Sequence, residues 1–411
     1  MNRSSLLLAL PVVFFFSALC GCAGSAFPLK ASDRVVCLGD SITDGCTYPQ
    51  IIGQALKEAG KPVPTVICSG VASDTAAQMA DRLDATVLAY KPTVVTFSAG
   101  TNDSSRGVTP EKYEASLRDV IRRVKATNAA MVLLTPCIIN PRTDGDAAAQ
   151  QQAKERAEAA EKVIAEYEKV IRKVAAEEGL PVAENNALMR QAREQGKEVM
   201  SGDGIHPNYF GQSLMARSIL DAMGYTAVPL PTEFTPRLFP GVVREWKMRL
   251  APAGDDKKPQ VLNEKAVLEL KPESEGWKTY TLPDPPPDAK PTAEDWWEQE
   301  RRNGFGCRLE QEIGKGPIQA VAVVESPAAR KAFINTGVGI STVWLNGTKI
   351  HEQGAKWTGF HAGKERIPVE LKQGKNTIAV EINGGQFFLS VTDKMVWEEE
   401  LRLGAGEWTP R

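Results

Sequence analysis

The chain has 411 residues, of which 49 are Lys or Arg and 51 are Asp or Glu, so its formal net charge is -2. This balance gives no electrostatic basis for binding nucleic acid. The length exceeds what one ordinary hydrophobic core organises, and 42% hydrophobic residues is typical of globular proteins. Length and composition therefore predict a globular protein of two or three domains, with no nucleic acid among its expected partners.

Residues 1–26 have the pattern of a secretory signal peptide. A basic residue follows the initiating methionine, and the apolar run Leu6–Ala18 is too short to cross a bilayer comfortably. Small residues follow that run, as they do before a cleavage site. We therefore expect an exported protein, located in a bacterial cell envelope or secreted.

The same segment leaves two processing outcomes open. Leu19 lies three positions before Cys22, and Gly21 lies directly before Cys22. This pattern resembles a bacterial lipoprotein signal over residues 1–21. Lipidation of Cys22 would attach the protein to a membrane. Ordinary cleavage after Ala26 is the alternative, because a Gly-Ser-Ala sequence ends there.

The cysteines give little further information. Five follow the signal region, namely Cys37, Cys46, Cys68, Cys137 and Cys307. No Cys-x-x-Cys pair occurs among them, so the sequence gives no zinc or redox motif, and an odd number leaves at least one thiol unpaired within a monomer.

Two halves of the chain differ in composition. All eight tryptophans lie from Trp246 onward, and four prolines fall within residues 227–241. A residue type does not segregate in this way within one continuous core, and the proline-rich stretch is typical of a linker. We predict a first domain over residues 31–226, a linker over 227–241 and a second domain over 242–411.

The first half alternates predicted strands and helices. The strands are Arg34–Leu38, Thr65–Cys68, Thr93–Phe97, Met131–Leu134 and one near Pro181–Glu184. The helices are Tyr48–Ala59, Asp74–Leu88, Pro110–Ala126, a long segment within Asp146–Glu178, and Tyr209–Met223. This alternation predicts a parallel sheet covered by helices on both faces.

The second half reads as all-β. Predicted strands cover Gln319–Ser326, Lys331–Val338, Ser341–His351 and, as a pair, Arg366–Asn383, while Pro283–Asp295 is a predicted loop. Asn346-Gly347 is a strong hairpin-turn signal. Short strands at this spacing predict a β-sandwich.

Three short polar motifs follow one another in the first half. Gly39–Thr43 comes after the first predicted strand, Gly100–Asp103 after the third, and Asp203–Pro207 just before the last helix. Because the carboxyl ends of parallel strands share one edge of a sheet, we expect Ser41 and Asn102 to converge there.

The chain's three histidines narrow the choice of a general base. His206 is the only one in the first half, and a serine nucleophile usually needs such a base. Asp203 lies three residues earlier, close enough to accept a hydrogen bond from the ring and fix its tautomer. Asp40, Asp44 and Asp103 are interpreted as turn and cap carboxylates.

The ordered motifs GDSIT, GTND and DGIHP resemble those of the SGNH, or GDSL-type, hydrolases over roughly residues 34–224. The resemblance implies a flavodoxin-like three-layer α/β/α sandwich. It also implies that Ser41 is the nucleophile, His206 the base and Asp203 its partner, with the Asn102 amide and the Ser41 N–H binding the oxyanion. Ester hydrolysis by this route through an acyl-enzyme needs no metal or cofactor.

Two residues are candidates for the third oxyanion donor. The family usually supplies a third N–H from a glycine, but alignment on Asp74-Thr75 places Ser73 there. Ser73 is preferred, provided that its φ is negative or the strain is tolerated, and Gly70, interpreted as a turn glycine, is the alternative.

The second half resembles, more loosely, the galactose-binding-like jelly rolls of exported carbohydrate-active proteins, through Val343–His351, Leu371–Gly385 and Phe387–Val391. Trp344 and Trp357 either stack on sugars or fill the core, with the core preferred for Trp344. His351 and His361 are interpreted as loop or hydrogen-bonding residues. 

An exported carbohydrate O-acetylesterase is the leading interpretation, acting on an acylated small molecule or polysaccharide. The alternatives are a lipid or lysophospholipid esterase or thioesterase and, from another class, a glycan-binding surface lipoprotein with little activity. The oligomeric state is left open.

Overall fold

The computed structural model describes residues 27–142, 146–232, 238–254, 257–282, 303–353 and 362–402. The predicted signal peptide with Cys22 and Ala26, the predicted loop Pro283–Asp295, Trp357 and His361 lie outside these ranges, as does the middle of the predicted linker. In the part of the chain that is described, no helix is both long and apolar enough to cross a membrane.

A five-stranded parallel sheet forms the centre of the first half. Its strands are β1 (Arg34–Gly39), β2 (Thr65–Gly70), β3 (Val94–Phe97), β4 (Ala130–Leu134) and β5 (Val182–Ala183). Their order across the sheet is β2-β1-β3-β4-β5, which is the flavodoxin-like order. The predicted fold class is confirmed.

Nine α-helices accompany this sheet within the described residues. They are α1 (Ser41–Asp44), α2 (Thr47–Glu58), α3 (Ala76–Asp81), α4 (Leu83–Thr86), α5 (Thr101–Ser105), α6 (Pro110–Lys125), α7 (Ala147–Glu178), α8 (Asn185–Glu194) and α9 (Tyr209–Ala222). The single helix predicted over Asp74–Leu88 is divided, because the backbone of Arg82 (φ -95°, ψ 1°) leaves the helical region. The short helices α1 and α5, and helix α8, have no counterpart in the prediction.

The sheet has an apolar core on each face. Val35 and Cys37 of β1 belong to one buried cluster, with α2, α8 and α9, while the alternate residues Val36 and Leu38 belong to a second, with α3, α6 and α7. Because successive strand side chains point to opposite faces, a strand buried on both sides reads as a continuous apolar run. The arrangement is therefore three layers, helices on either side of the sheet.

The second half contains two antiparallel sheets. One has six strands, and its members are β6 (Glu245–Leu250), β7 (Lys278–Thr281), β8 (Ile318–Ser326), β10 (Ile340–Leu345), β11 (Thr348–Glu352) and β13 (Gly374–Ile382). The other has three, namely β9 (Arg330–Thr336), β12 (Glu365–Leu371) and β14 (Leu389–Thr392). Asn346 and Gly347 turn the β10–β11 hairpin with φ of 51° and 86°, as the two-residue turn requires.

Three short helices complete the second half within the described ranges. They are α10 (Glu264–Leu268), α11 (Leu309–Glu312) and α12 (Glu398–Arg402). We call residues 238–402 the β region. Val228 and Phe239, at the two ends of the predicted linker, are both buried. The domain boundaries themselves stay predictions.

The β region packs directly on the α/β part. The Arg366 guanidinium forms a 2.6 Å ion pair with Glu398, both side chains nearly fully buried, and lies over the ring of Tyr90 at 4.7 Å. Arg34 of β1 pairs with Glu399 at 3.1 Å. The two halves are therefore joined by buried contacts on the side of the sheet that β1 and β2 occupy.

Candidate active site

The sheet topology brings the three predicted motifs to one edge. Ser41 is the first residue of α1, two positions after β1 ends, and Asn102 lies in the first turn of α5, shortly after β3 ends. The carboxyl ends of parallel strands meet at this edge, where ligands bind in such sheets. His206 comes from the loop between α8 and α9.

Ser41, His206 and Asp203 form a continuous hydrogen-bonded chain. His206 Nε2 lies 2.8 Å from Ser41 Oγ, and His206 Nδ1 lies 2.6 Å from Asp203 Oδ2. This is the spacing that a nucleophile, its base and the group that orients the base require. The three side chains are each partly exposed, so a substrate can reach them.

The loop that carries Asp203 is built to hold it ionised. Its Oδ1 accepts hydrogen bonds from the N–H of Ile205 at 2.8 Å, the N–H of His206 at 3.0 Å and Ser201 Oγ at 2.9 Å. Burial acts to raise the pKa of Asp203, but the hydrogen bonds from His206 and the backbone outweigh it and hold that pKa well below its usual range. Asp203 is therefore a carboxylate at neutral pH, able to stabilise a charged imidazole.

Asp40 stabilises the start of α1, the helix whose first residue is Ser41. It is 2% exposed, and its Oδ1 accepts the N–H of Ile42 at 3.0 Å as the N-cap of α1. Burial raises the pKa of Asp40 to about 6, with the Ile42 N–H and His206 acting against the rise. The interpretation of Asp40 as a cap agrees with this geometry.

The side-chain amide of Asn102 is fixed between two motifs. Its Nδ2 donates to Asp40 Oδ2 at 3.2 Å and to the Asp74 carbonyl at 3.1 Å. An amide nitrogen carries two hydrogens, and both are engaged here. Donation to a substrate oxygen therefore requires Asn102 to share or exchange one of these bonds.

Ser73 adopts the backbone conformation that glycine favours. Its φ is +69°, in the left-handed region that costs an L-residue energy, so of the two conditions set for Ser73 the negative φ is not met and the tolerated strain is the one left. Gly70 is the last residue of β2 rather than a turn residue, and a Cβ there would lie 2.1 Å from the Asp44 nitrogen. Gly70 is thus needed for close packing against α1, and which N–H binds an oxyanion stays a prediction.

Two buried carboxylates secure the loop that carries Ser73. Asp44 Oδ2 accepts the N–H of Ala72 at 3.2 Å, and both oxygens of Asp103 lie 3.2 Å from the N–H of Ala76. Burial raises the pKa of Asp103, and the hydrogen bond from the Ala76 N–H acts against that rise. Both carboxylates are structural, as interpreted from the sequence.

Arg82 is the main site-supporting residue that the sequence reasoning missed. Its Nε donates to Asp74 Oδ2 at 2.6 Å, and its Nη2 donates to the carbonyls of Gly39 at 2.8 Å and Ser69 at 3.0 Å. Nη1 also donates to Ser69 Oγ and Thr86 Oγ1. One guanidinium thereby links the ends of β1 and β2 to the Asp74 segment whose carbonyl accepts from the Asn102 amide.

Cys46 and Cys68 form a disulfide, with their Cα atoms 5.8 Å apart, and Cys37, Cys137 and Cys307 are buried and lie outside this bridge. The sequence left this pairing open. The disulfide links Cys46, the N-cap of α2, to β2, and Cys46 lies two residues after the end of α1.

A cavity of about 470 Å³ lies between α2, β2 and the β region, with Phe239 and Trp397 in its wall. Neither Ser41 nor His206 is among its described lining residues. The cavity is therefore separate from the Ser41–His206–Asp203 chain. Among the described residues there is also no group of three or more His, Cys, Asp or Glu side chains placed to hold a metal ion.

Trp344 and His351 are the two candidate residues of the second half that lie within the described ranges. Trp344 is 2% exposed and packs with Leu262, Val321 and Ala379, which supports its interpretation as a core residue. His351 lies in β11, where burial lowers its pKa. In the ranges described, Trp344 is thus not available to stack on a sugar.

Curated relatives agree with the motifs. Residues 37–214 match the GDSL-like lipase/acylhydrolase family. Over 114 residues the chain is 30% identical to thioesterase 1/protease 1/lysophospholipase L1 of Escherichia coli (strain K12), a match covering 26% of this chain and 53% of that protein. It is 23% identical over 224 residues to acetylxylan esterase of Geobacillus stearothermophilus, covering 48% of this chain and 96% of that protein. The chain thus spans about half the length of the first relative.

Two solved structures are also similar. One is an alpha/beta hydrolase enzyme from the metagenome of Lake Arreo, Spain, at 24% identity and a TM-score of 0.41, covering 48% of this chain and 98% of that one. The other is a catalytic mutant of the Geobacillus stearothermophilus acetylxylan esterase, at 20% identity and a TM-score of 0.42, covering 50% and 100%. From the ordered motifs and the family match, residues 37–214 form a GDSL-like lipase/acylhydrolase domain, that is, an SGNH hydrolase domain.

Proposed function

We propose that this protein is an exported serine esterase that hydrolyses acyl esters, with acetyl esters of carbohydrates as its substrate class. The observation that carries the catalytic part is the continuous Ser41–His206–Asp203 hydrogen-bonded chain at 2.8 and 2.6 Å. The carbohydrate part rests on the similarity to an acetylxylan esterase. Neither part depends on Trp344, which is buried.

The reaction begins with attack of Ser41 Oγ on the acyl carbonyl carbon while His206 Nε2 takes the hydroxyl proton. Asp203 stabilises the resulting imidazolium. His206 then protonates the departing alcohol, which leaves an acyl-enzyme on Ser41. A water molecule, deprotonated by His206, attacks the acyl carbon; the bond to Ser41 Oγ then breaks as His206 returns the proton to Oγ, and the acid is released.

Negative charge develops on the acyl oxygen in both steps. The Ser41 N–H belongs to the first residue of α1 and has no carbonyl partner within that helix. With the Asn102 amide and the Ser73 N–H it would form the oxyanion site, where each placed donor contributes about 3 kcal/mol in the transition state. The bond between Asn102 and the Asp74 carbonyl is then shared with the substrate.

The catalytic assignment is tested with 4-nitrophenyl acetate and a fluorophosphonate probe. We expect wild-type protein to hydrolyse the ester and to be labelled at Ser41, and Ser41→Ala and His206→Ala to lose about 10³-fold or more in rate. Equal rates in all three proteins would remove the esterase proposal. An unlabelled wild type would favour a glycan-binding lipoprotein with little activity.

The substrate class is tested by comparing acetate release from acetylated xylo-oligosaccharides with cleavage of long-chain acyl thioesters and lysophospholipids. We expect kcat/KM to favour the acetylated sugars. Faster long-chain cleavage would favour a thioesterase or lysophospholipase instead, the second candidate suggested by 30% identity to such an enzyme.

Export and attachment at Cys22 are proposals from the N-terminal sequence. Radiolabelled fatty acid fed to cells expressing the full chain would label the wild type but not Cys22→Ala if Cys22 is lipidated. Labelling of neither protein, with a mature N-terminus at residue 27, would support cleavage after Ala26.

A further inference from the structure

The β region contacts the nucleophile helix from behind. An apolar cluster joins Cys46 and Cys68 of the α/β part to Phe239, Phe305 and Phe388 of the β region. Cys46 lies directly after Gly45, the residue that ends α1. The second half of the chain therefore packs against the junction between α1 and α2.

Asn303 makes the polar contact at this junction. It is 3% exposed, its Nδ2 donates to the Gly45 carbonyl at 3.2 Å, and its Oδ1 accepts from Gln50 Nε2 at 2.9 Å. Thr47 Oγ1 gives the same carbonyl a longer bond of 3.4 Å. A single buried amide from the β region thus satisfies groups on both sides of the α1–α2 junction.

Asn303 is itself rigidly held in the β region. Its carbonyl accepts the N–H of Phe239 at 3.0 Å, and three residues later Gly306 exchanges two backbone hydrogen bonds with Phe387, at 2.9 and 3.0 Å. Phe305 between them is buried. The backbone that carries the Asn303 amide is therefore held by the β region, while the amide itself binds the α/β part.

Helix α1 needs such support because it has only four residues. Its length is far below that at which a helix is stable by itself, so tertiary contacts must hold it. Asp40 caps its beginning, where Ser41 lies, and Asn303 binds the carbonyl of Gly45 at its end. A shift of about 1 Å in a reacting group can cost about 10²-fold in rate.

We propose that Asn303 is a positioning residue for the nucleophile, through which the β region holds the Ser41 helix in its reactive orientation. This inference rests on the proposed role of Ser41. Asn303 touches neither Ser41 nor His206, and it acts through its hydrogen bonds to the Gly45 carbonyl and Gln50. It gives the second half of the chain a part in the chemistry that does not require it to bind any ligand.

The test compares Asn303→Ala with Asn376→Ala in the full-length protein. Asn376 is a matched control because it is also a buried asparagine of the β region, and its partners, which include the carbonyls of Lys372 and Gly374, all belong to that region. The measurements are the rate of fluorophosphonate labelling of Ser41, kcat and KM for 4-nitrophenyl acetate, and Tm, with rates taken well below each Tm.

We expect Asn303→Ala to lower both kcat and the labelling rate about tenfold with KM within about twofold, and Asn376→Ala to change none of these by more than about twofold. If Asn303→Ala does not fold, Asn303→Leu decides, since it nearly keeps the side-chain volume, adds no charge and loses the donor to Gly45. Equal labelling of wild type and the Asn303 variant, or an equal loss in Asn376→Ala, overturns this inference alone. A wild type that is not labelled at Ser41 overturns the proposed function and this inference with it.

Discussion

Replacing Arg82 with methionine removes the charge that links the strand ends at the active site while keeping most of the apolar stem. Arg82 and Asp74 form a 2.6 Å ion pair with side chains only 15% and 10% exposed. Removing one partner of a buried pair leaves the other charge uncompensated and costs about 3–5 kcal/mol. The carbonyls of Gly39 and Ser69 lose charge-assisted donors in the same change. We expect Arg82→Met to lower the free energy of unfolding by about 3 kcal/mol or more.

The loss should depend on pH in a defined direction. Burial raises the pKa of Asp74, and Arg82 lowers it, so removing Arg82 raises that pKa further. The folded variant then binds a proton at Asp74 more tightly than the unfolded chain does, and its stability falls as pH rises. The difference in unfolding free energy between wild type and Arg82→Met should therefore be larger at pH 8 than at pH 5.

Urea denaturation at the two pH values measures both quantities, and kcat for 4-nitrophenyl acetate reports on the strand ends. Arg172→Met is the matched control, because Arg172 is 44% exposed and its shortest ion pair, 2.7 Å to Glu184, has a partner that is 40% exposed. Such pairs contribute less than about 1 kcal/mol. If Arg82→Met costs no more than Arg172→Met at either pH, the guanidinium does not hold the site together.

Four further changes have defined outcomes. Asp203→Asn should lower kcat about 10³- to 10⁴-fold, because the base loses its orienting carboxylate; steady-state kinetics measure this, and a loss below tenfold would contradict it. Ser73→Gly relieves the positive φ at the cost of unfolded-state entropy, so the unfolding free energy should rise by less than about 1 kcal/mol with kcat within about twofold; a tenfold fall in kcat would instead give the hydroxyl a role. Serine at both Cys46 and Cys68, 22 residues apart, should cost about 3 kcal/mol in urea denaturation, and a reductant should then no longer destabilise the protein. Burial raises the pKa of Asp40 to about 6, so its contribution to stability falls as pH rises from about 4 to about 6; Asp40→Asn should remove that part of the pH dependence, and an unchanged profile would exclude it.

Local pattern and topology together predicted the main features of the candidate site. Apolar runs gave the five parallel strands, and the rule that parallel strands end at one edge placed Ser41 beside Asn102. The scarcity of histidine then selected His206. The strands and the convergence of these side chains could be predicted because each depends on residues near a strand end or on a count, both of which are visible in the sequence, while the catalytic roles stay predictions.

The features that the sequence could not give depend on contacts between distant segments. Arg82 binds the Gly39 and Ser69 carbonyls, and a backbone carbonyl carries no residue-specific signal. The Asn303 contact joins residues 258 apart. Helices α1 and α5 are too short to show a period of 3.6 residues. The local sequence gave one indication of the Arg82 contacts. Arg82 lies eight residues after Asp74, inside the segment predicted as a single helix, which the structure divides at Arg82.

The structural carboxylates of Asp44 and Asp103 explain why Ser73 can adopt a backbone conformation that favours glycine. Ser73 lies in a loop whose N–H groups at Ala72 and Ala76 are held by Asp44 and Asp103, and each of these carboxylates lies in a helix next to a catalytic motif. A strained backbone conformation persists only where its surroundings over-determine it. Helices α1 and α5 therefore hold the Ser73 loop from both ends, so that a change at either carboxylate should release the loop and disturb the proposed oxyanion site without touching a proposed reacting atom.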